Sequence, residues 1–299
     1  MTFSSSEKPP VLAAELEAAL ERTFDSGVVT ARRVPGGDIH EAYQVTFGNG
    51  RRAFVKTSAG APGDMFAAEA RGLAWLRGAE AVRIPEVLAA SEPGDAVPFL
   101  ALEWVEPGKP RANFDEELGH ALAALHRKGA DAFGLDHDNY IGSLPQANGS
   151  LATWSEFYIV RRLEPQLRRA VDGRNASSTM KSGFPKLFAR MESRIGDPEP
   201  PARLHGDLWG GNLHRDEAGE PVLVDPAVYG GHREVDLAMM RLFGGFSERV
   251  FRAYDEVFPF AEGIAERVPL YQLYPLLVHT NLFGYGYVDQ VEHALKRVV

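Results

Sequence analysis

The chain has 299 residues, a formal net charge of −9 and no cysteine, with 44% hydrophobic and 24% charged residues. That length can bury one large or two modest cores, and the missing cysteines exclude disulfides, thiolate metal sites and a cysteine nucleophile. The acidic balance argues against a nucleic-acid partner, no apolar run reaches the length of a membrane span, and the polar start Met1 to Pro10 lacks the apolar core of a secretory signal, so a cytoplasmic protein is expected.

Leu12, Leu16, Leu20 and Phe24 recur every four residues, which predicts an amphipathic helix ended near Gly27. Residues 28–34, 41–47 and 51–57 read as strands, the last two joined by the turn Gly48-Asn49-Gly50. Between the first two lies Pro35-Gly36-Gly37-Asp38-Ile39-His40. Gly36 and Gly37 would let backbone N–H groups approach phosphates closely, although an ordinary turn uses two glycines equally well. Position adds weight, because the third strand carries Ala53-Phe54-Val55-Lys56, similar to the strand whose lysine holds the α- and β-phosphates of a nucleotide. The helix that follows, about residues 64–78, offers Glu69 as ion-pair partner for Lys56, with Glu80 as the fallback. Residues 82–90 and 98–104 complete five antiparallel strands. Glu103, Trp104 and Val105 open a linker, about residues 103–108, whose backbone would receive an adenine ring.

From residue 115 the chain turns helical, with Leu118, Leu122, Leu125 and His126 on one face and His126 read as a histidine at the core's edge. Residues 133–150 form a long polar, glycine-punctuated loop of the kind that often carries function. Helices are predicted around 154–171 and 184–195. The nine Lys and Arg residues between Arg161 and Arg194 read as a solvated basic face.

The most informative stretch is His205-Gly206-Asp207-Leu208-Trp209-Gly210-Gly211-Asn212, with Leu223-Val224-Asp225 behind it. Its H-x-D-L-x-x-x-N spacing and strand-ending Asp are those of kinase-type phosphoryl transfer. Asp207 stands where an acceptor hydroxyl's proton is taken up. Asn212 reaches a metal from the other end of the loop, and Asp225 supplies a charged ligand to Mg²⁺ bridging the β- and γ-phosphates of ATP. The apolar runs 202–204 and 221–224 read as the two strands of a hairpin holding these groups. Asp236 either suits the positive end of a helix or braces the loop by accepting its backbone N–H groups. Ten residues separate Asp225 from Asp236, too few for the activation loop of a protein kinase, and Gly206 stands where H-R-D carries an arginine. The acceptor is therefore expected to be a small molecule or an exposed side-chain adduct, and the activity constitutive.

These residues resemble the fructosamine-3-kinase (ketosamine-3-kinase) family, within the larger group that includes aminoglycoside phosphotransferases and choline kinases. The narrower resemblance rests on Trp209 within the catalytic loop and on Asp225-Pro226-Ala227-Val228-Tyr229-Gly230-Gly231-His232-Arg233-Glu234-Val235-Asp236-Leu237-Ala238-Met239. Weaker matches are Gly36-Gly37-Asp38-Ile39, Phe66-Ala67-Ala68-Glu69-Ala70 and Asp138-Asn139-Tyr140-Ile141-Gly142-Ser143. The resemblance implies an α+β, protein-kinase-like two-lobed fold: a nucleotide-binding N-lobe over residues 1–104 with a five-stranded antiparallel sheet, and a mainly helical catalytic and substrate-binding C-lobe over 105–299 with a short catalytic β-hairpin. It implies phosphorylation by ATP and Mg²⁺ of the C3 hydroxyl of ketoamine adducts on lysine, free or in glycated proteins, by a monomer, after which the unstable adduct falls away. Carried over residue by residue, Asp207 is the base, Asn212 and Asp225 are the metal ligands, and Lys56 and Glu69 are the phosphate pair. Trp209 and His205 then face the substrate, Trp209 packing on the sugar unless it is a buried structural aromatic. The competing readings are a kinase for an aminoglycoside or amino alcohol, and an inactive nucleotide-binding scaffold.

Overall fold

The computed structural model describes residues 12–35 and 40–299. The N-terminal stretch and the glycine-loop residues Gly36, Gly37, Asp38 and Ile39 singled out above lie outside the described residues. The chain divides into two compact units, Met1–Ala70 with Pro85–Val105, and Arg71–Ile84 with Glu106–Val299.

The first unit carries α1 (Ala14–Phe24), β1 (Val28–Arg33), β2 (Glu41–Phe47), β3 (Arg52–Thr57), the start of α2 (Met65–Arg77), β4 (Val87–Ala90) and β5 (Phe99–Glu103). The strands form one antiparallel sheet in the order β1-β2-β3-β5-β4, the five strands that the sequence predicts. The fourth is shorter than expected: Pro85 has no N–H for a ladder and restricts Ile84, so pairing starts only at Val87. Leu16 and Leu20 of α1 pack with Val45, Phe47, Ala53 and Val55 in one core. Side chains alternate along a strand, so pointing Ala53 and Val55 into that core turns Phe54 and Lys56 to the opposite face of the sheet.

The second unit is mainly helical. After α3 (Phe114–Lys128) come the short strands β6 (Asn139–Ile141) and β7 (Leu144–Gln146). Next, α4 (Trp154–Phe157) runs through a π-helical segment, Tyr158–Leu163, into α5 (Glu164–Asp172). Then follow α6 (Ser178–Phe188), β8 (Ala202–Leu204), β9 (Leu213–Arg215), β10 (Pro221–Leu223), β11 (Tyr229–Gly231), α7 (Glu234–Phe243), α8 (Glu248–Val257), α9 (Ile264–Phe283) and α10 (Val288–Val298). Its core joins Phe157, Tyr158, Phe184, Leu204, Tyr229, Tyr271 and Tyr274. Among the described residues no helix is long and apolar enough to cross a membrane.

Three expectations change here. Residues 202–204 and 221–224 do not pair with each other: β8 pairs with β11, and the hairpin of the catalytic stretch is β9 with β10. The 133–150 segment is not one long loop, because β6 pairs with β7 within it and its Asn139, Gln146 and Asn148 are buried. The helix expected at 184–195 begins six residues earlier, where the Ser177 hydroxyl accepts the Met180 N–H as an N-cap, and gives way after Phe188 to a short 3₁₀ turn.

Candidate active site

In the first unit, period-two alternation sets Lys56 on the face met by α2, and its ammonium donates to both oxygens of Glu69, at 2.9 and 3.1 Å. Both side chains are largely withdrawn from water, which strengthens the pair and fixes the end of a flexible stem. Glu80, the fallback, is exposed after the end of α2. Glu103 closes β5 with its N–H on the Glu86 carbonyl, and Trp104 and Val105 follow half-buried, outside regular structure.

In the second unit the loop from His205 to Asn212 hangs from Asp236. Its carboxylate accepts the His205 N–H at 2.8 Å on Oδ2 and the Gly206 N–H at 2.9 Å on Oδ1, while His126 Nε2 lies 3.2 Å from Oδ2. The bracing alternative read from the sequence is the one realised. His126 in turn lies 2.8 Å from the Tyr254 hydroxyl, so a buried chain runs from α8 through α3 to the loop. Burial acts to raise the Asp236 pKa, but the His126 hydrogen bond and charge and the Gly206 N–H outweigh it and hold the carboxyl below its ordinary value.

His205 is fully buried. Its Nε2 donates to the Val224 carbonyl at 2.9 Å and its Nδ1 accepts the Asp207 N–H at 3.3 Å, which is the neutral ring that burial favours by lowering its pKa. The expectation that His205 faces the substrate is therefore corrected: both ring nitrogens are spent tying the loop to the strand that leads into Asp225. Gly206 is required by geometry, since its φ is +82° and a Cβ there would sit 2.0 Å from the Ala227 carbonyl oxygen. That contact explains why no arginine occupies the position.

Asn212 is held in the 3₁₀ turn Gly210–Asn212. Its amide nitrogen donates to the Asp207 carbonyl at 2.8 Å, to Asp207 Oδ2 at 3.3 Å and to the Asp225 carbonyl at 3.3 Å. One side chain thus ties together the two acidic residues, and its Oδ1 is the end left to meet a cation. Asp225 adopts a left-handed conformation at φ 52°, rare for a residue with a side chain and a known mark of functional sites. Among the described residues no three His, Cys, Asp or Glu side chains gather as a metal cage. A carboxylate plus an amide oxygen fits Mg²⁺, a hard ion that keeps waters and completes its shell with substrate phosphates.

Trp209 is 39% exposed, with Phe243 edge-on at 6.5 Å between ring centroids. The ring covers Gly211, where a Cβ would come within 2.3 Å of it. This partly exposed aromatic beside Asp207 is not a buried structural one.

The His232-Arg233-Glu234 run, named from the sequence only within the stretch that carries the family resemblance, anchors α7 and through it Asp236. Arg233 grips Glu199 with two nitrogens and the carbonyls of Phe258 and Pro259. Glu234 pairs with Arg267 at 2.6 and 2.8 Å, and His232 stacks on Tyr271. Burial pushes the His232 pKa down to about 4. Sequence reasoning missed these partners because Glu199, Phe258 and Arg267 lie far away in the chain.

A family model described as fructosamine kinase matches residues 12–299. An Enterococcus faecium protein named "Probable ketoamine kinase" is 38% identical over 265 residues, covering 88% of this chain and 93% of that protein. The Arabidopsis thaliana "Protein-ribulosamine 3-kinase, chloroplastic" is 38% identical over 261 residues, covering 85% and 78%. The crystal structure of a candidate fructosamine-3-kinase from Thermobifida fusca shares 39% identity with a TM-score of 0.85, covering 95% of this chain and 98% of that one. An aminoglycoside phosphotransferase structure, 18% identical with a TM-score of 0.65 over 96% of this chain and 100% of that one, shares the protein-kinase-like fold.

Proposed function

The chain belongs to the fructosamine kinase family, and from that membership we propose that it transfers the γ-phosphoryl group of ATP to the C3 hydroxyl of ketoamine adducts on lysine, releasing the lysine afterwards. The observation that carries the reading is Asn212 joining Asp207 and Asp225 in one hydrogen-bonded cluster, braced from behind by Asp236. Phosphoryl transfer needs little covalent chemistry from a protein, only positioning and charge, and this cluster offers both.

In this reading Asp207 accepts the proton of the attacking hydroxyl as the oxygen engages phosphorus. Lys56, oriented by Glu69, draws charge from the α- and β-phosphates. Asn212 Oδ1 and the Asp225 carboxylate would hold Mg²⁺, whose charge would offset that of the β- and γ-phosphates. Trp209 offers the sugar an aromatic face, and the backbone at Glu103, Trp104 and Val105 receives the adenine. The first unit is then the nucleotide-binding domain and the second the catalytic and acceptor-binding one. The acceptor is a glycated lysine, free or on a protein, met by a monomer in the cytoplasm.

The test is ATP turnover with Mg²⁺ against fructosamine, ribulosamine and erythrulosamine adducts of lysine, with an aminoglycoside and choline alongside. Turnover on the ketoamines alone is the expected result. Turnover on the aminoglycoside or choline alone overturns the acceptor while leaving the kinase chemistry, and nucleotide binding with no turnover moves the chain to the scaffold reading.

A further inference from the structure

We propose that Arg162 is a positioning residue for Asp225, acting through the buried amides of the 133–150 segment. Asp225 stands in a left-handed backbone conformation, which is strained for a residue with a side chain and persists only where neighbours over-determine it. Beside Asn212, which holds the Asp225 carbonyl, these neighbours include the residues that follow it. The Ala227 carbonyl accepts from Gln146 Nε2 at 3.1 Å, and the Val228 carbonyl accepts from Asn139 Nδ2 at 2.9 Å. Two side-chain amides from the β6–β7 hairpin thus hold the carbonyls two and three residues beyond Asp225.

Those amides are held in turn. Asn139 Oδ1 accepts from Gln146 Nε2 and from Asn148 Nδ2, both at 2.8 Å, and Gln146 Oε1 accepts the Tyr274 hydroxyl at 2.7 Å. Asn148 Oδ1 accepts from Arg162 Nη2 at 2.6 Å, and Arg162 Nη1 donates to the Ala147 carbonyl at 2.7 Å. The Arg162 guanidinium also lies 3.8 Å from the ring centroid of Tyr229, the residue after Val228. Arg162 therefore reaches the segment behind Asp225 by two routes, an amide relay and an aromatic face. The wide π-helical turn puts Arg161 on the Gly149 carbonyl and Arg162 on the Ala147 carbonyl, so consecutive residues grip one strand of backbone.

The placement is costly for packing alone. Arg162 is fully buried, and among the described residues no carboxylate forms an ion pair with it. A buried guanidinium carries a desolvation penalty that an apolar side chain of similar size avoids. Burial raises the pKa of both Tyr229 and Tyr274; the Arg162 charge opposes that rise at each ring, while Asp236 adds to it at Tyr229 and Asp207 adds to it at Tyr274. Tyr229 thus lies between the cation and the bracing Asp236, and Tyr274 between the cation and Asp207 of the loop. A fixed positive charge suits a centre that gathers aspartates before a divalent cation arrives.

This inference rests on the kinase reading for what Asp225 holds, so its test reads the metal and not the acceptor alone. Arg162→Lys and Tyr274→Phe would be compared with the wild-type chain for Mn²⁺ affinity by EPR in the presence of a non-hydrolysable ATP analogue, for kcat and acceptor KM, and for thermal stability. Residues that orient metal ligands typically change metal affinity or activity by about 10–100-fold. Arg162→Lys should weaken Mn²⁺ binding and lower kcat within that range while acceptor KM stays near wild type. Tyr274→Phe, which loses a single hydroxyl, should move Mn²⁺ affinity in the same direction by less. A lower melting temperature with unchanged Mn²⁺ affinity and kcat overturns the proposal, and if Arg162→Lys does not fold, unchanged Mn²⁺ affinity in Tyr274→Phe does so. A wild-type chain that phosphorylates no ketoamine, with Mn²⁺ binding still lost in Arg162→Lys, overturns the acceptor assignment and supports this one.

Discussion

Asp236→Asn is the perturbation that separates the catalytic loop from its support. The carboxylate accepts two backbone N–H groups and faces His126 Nε2, with neither oxygen exposed to water. Asparagine has nearly the same shape but presents one oxygen and one NH₂. If the oxygen serves His205 and His126, the NH₂ meets the Gly206 N–H, and a donor faces a donor. One charge-assisted bond, about 1.5–3 kcal/mol, is lost, and an orphaned buried N–H adds about 1–3 kcal/mol. The total, about 2.5–6 kcal/mol, is a large share of the roughly 5–15 kcal/mol that holds a domain folded. The variant should fold at neutral pH, with Gly206 released and Asp207, the next residue, no longer fixed. Urea denaturation should show the loss of stability, and kinetics should show kcat reduced by about 100-fold or more, with ATP KM within a few-fold of wild type. The acid limb carries a sign. The folded carboxyl has a depressed pKa, so its contribution is present above the unfolded value near 3.8 and is lost as pH falls through the folded one. The gap between wild type and Asp236→Asn should be constant from neutral pH to the ordinary carboxylate range and then close. Wild-type stability and kcat in the variant would refute the brace.

Three further outcomes are expected. Glu69→Gln removes the charge that orients Lys56 in a pair only 10% and 13% exposed, and should cost about tenfold or more in kcat/KM for ATP by steady-state kinetics with little change in melting temperature. Trp209→Ala should raise acceptor KM about tenfold, the worth of about 1–1.5 kcal/mol of aromatic contact, with ATP KM unchanged; a large fall in stability instead would return Trp209 to a structural role. His232 is driven neutral by burial, with a folded pKa of about 4 below its usual 6.5, so the unfolded chain takes up a proton that the folded one refuses. Stability should therefore fall between pH 6.5 and about 4, by about 3 kcal/mol at most, and urea titrations across that window should show a shallower slope for His232→Asn.

The first unit was legible because its signals are local. Alternation in Ala53-Phe54-Val55-Lys56 fixed which face the lysine takes, and order along the chain put Glu69 on the next helix to meet it. The loop from His205 to Asn212 was legible for a similar reason, because a fixed spacing of polar groups between apolar runs carries chemistry. Strand partnership was not, since β8 and β11 are three residues long, too short for alternation to set a partner. The clue lay in Gly230 and Gly231: a Cβ at Gly230 would stand 2.1 Å from the Ala132 carbonyl oxygen, and one at Gly231 2.6 Å from Leu204, marking a segment packed on both sides. Polarity misled at 133–150, where Asn139, Gln146 and Asn148 are buried because each amide finds backbone carbonyls or another amide. It misled again at Arg162, counted in a solvated basic face yet fully buried, and at His205, expected to face the substrate while its ring turns inward.

Phosphorylation of one hydroxyl of a sugar attached to lysine is tested most directly by the structure of the product. A glycated lysine peptide incubated with the protein, ATP and Mg²⁺ would be followed by mass spectrometry and by ³¹P–¹H correlation NMR. The expected result is a transient species with phosphate coupled to the proton on C3 of the ketoamine, then recovery of unmodified lysine. Phosphate on another position, or a stable phosphorylated adduct that never releases lysine, would contradict it.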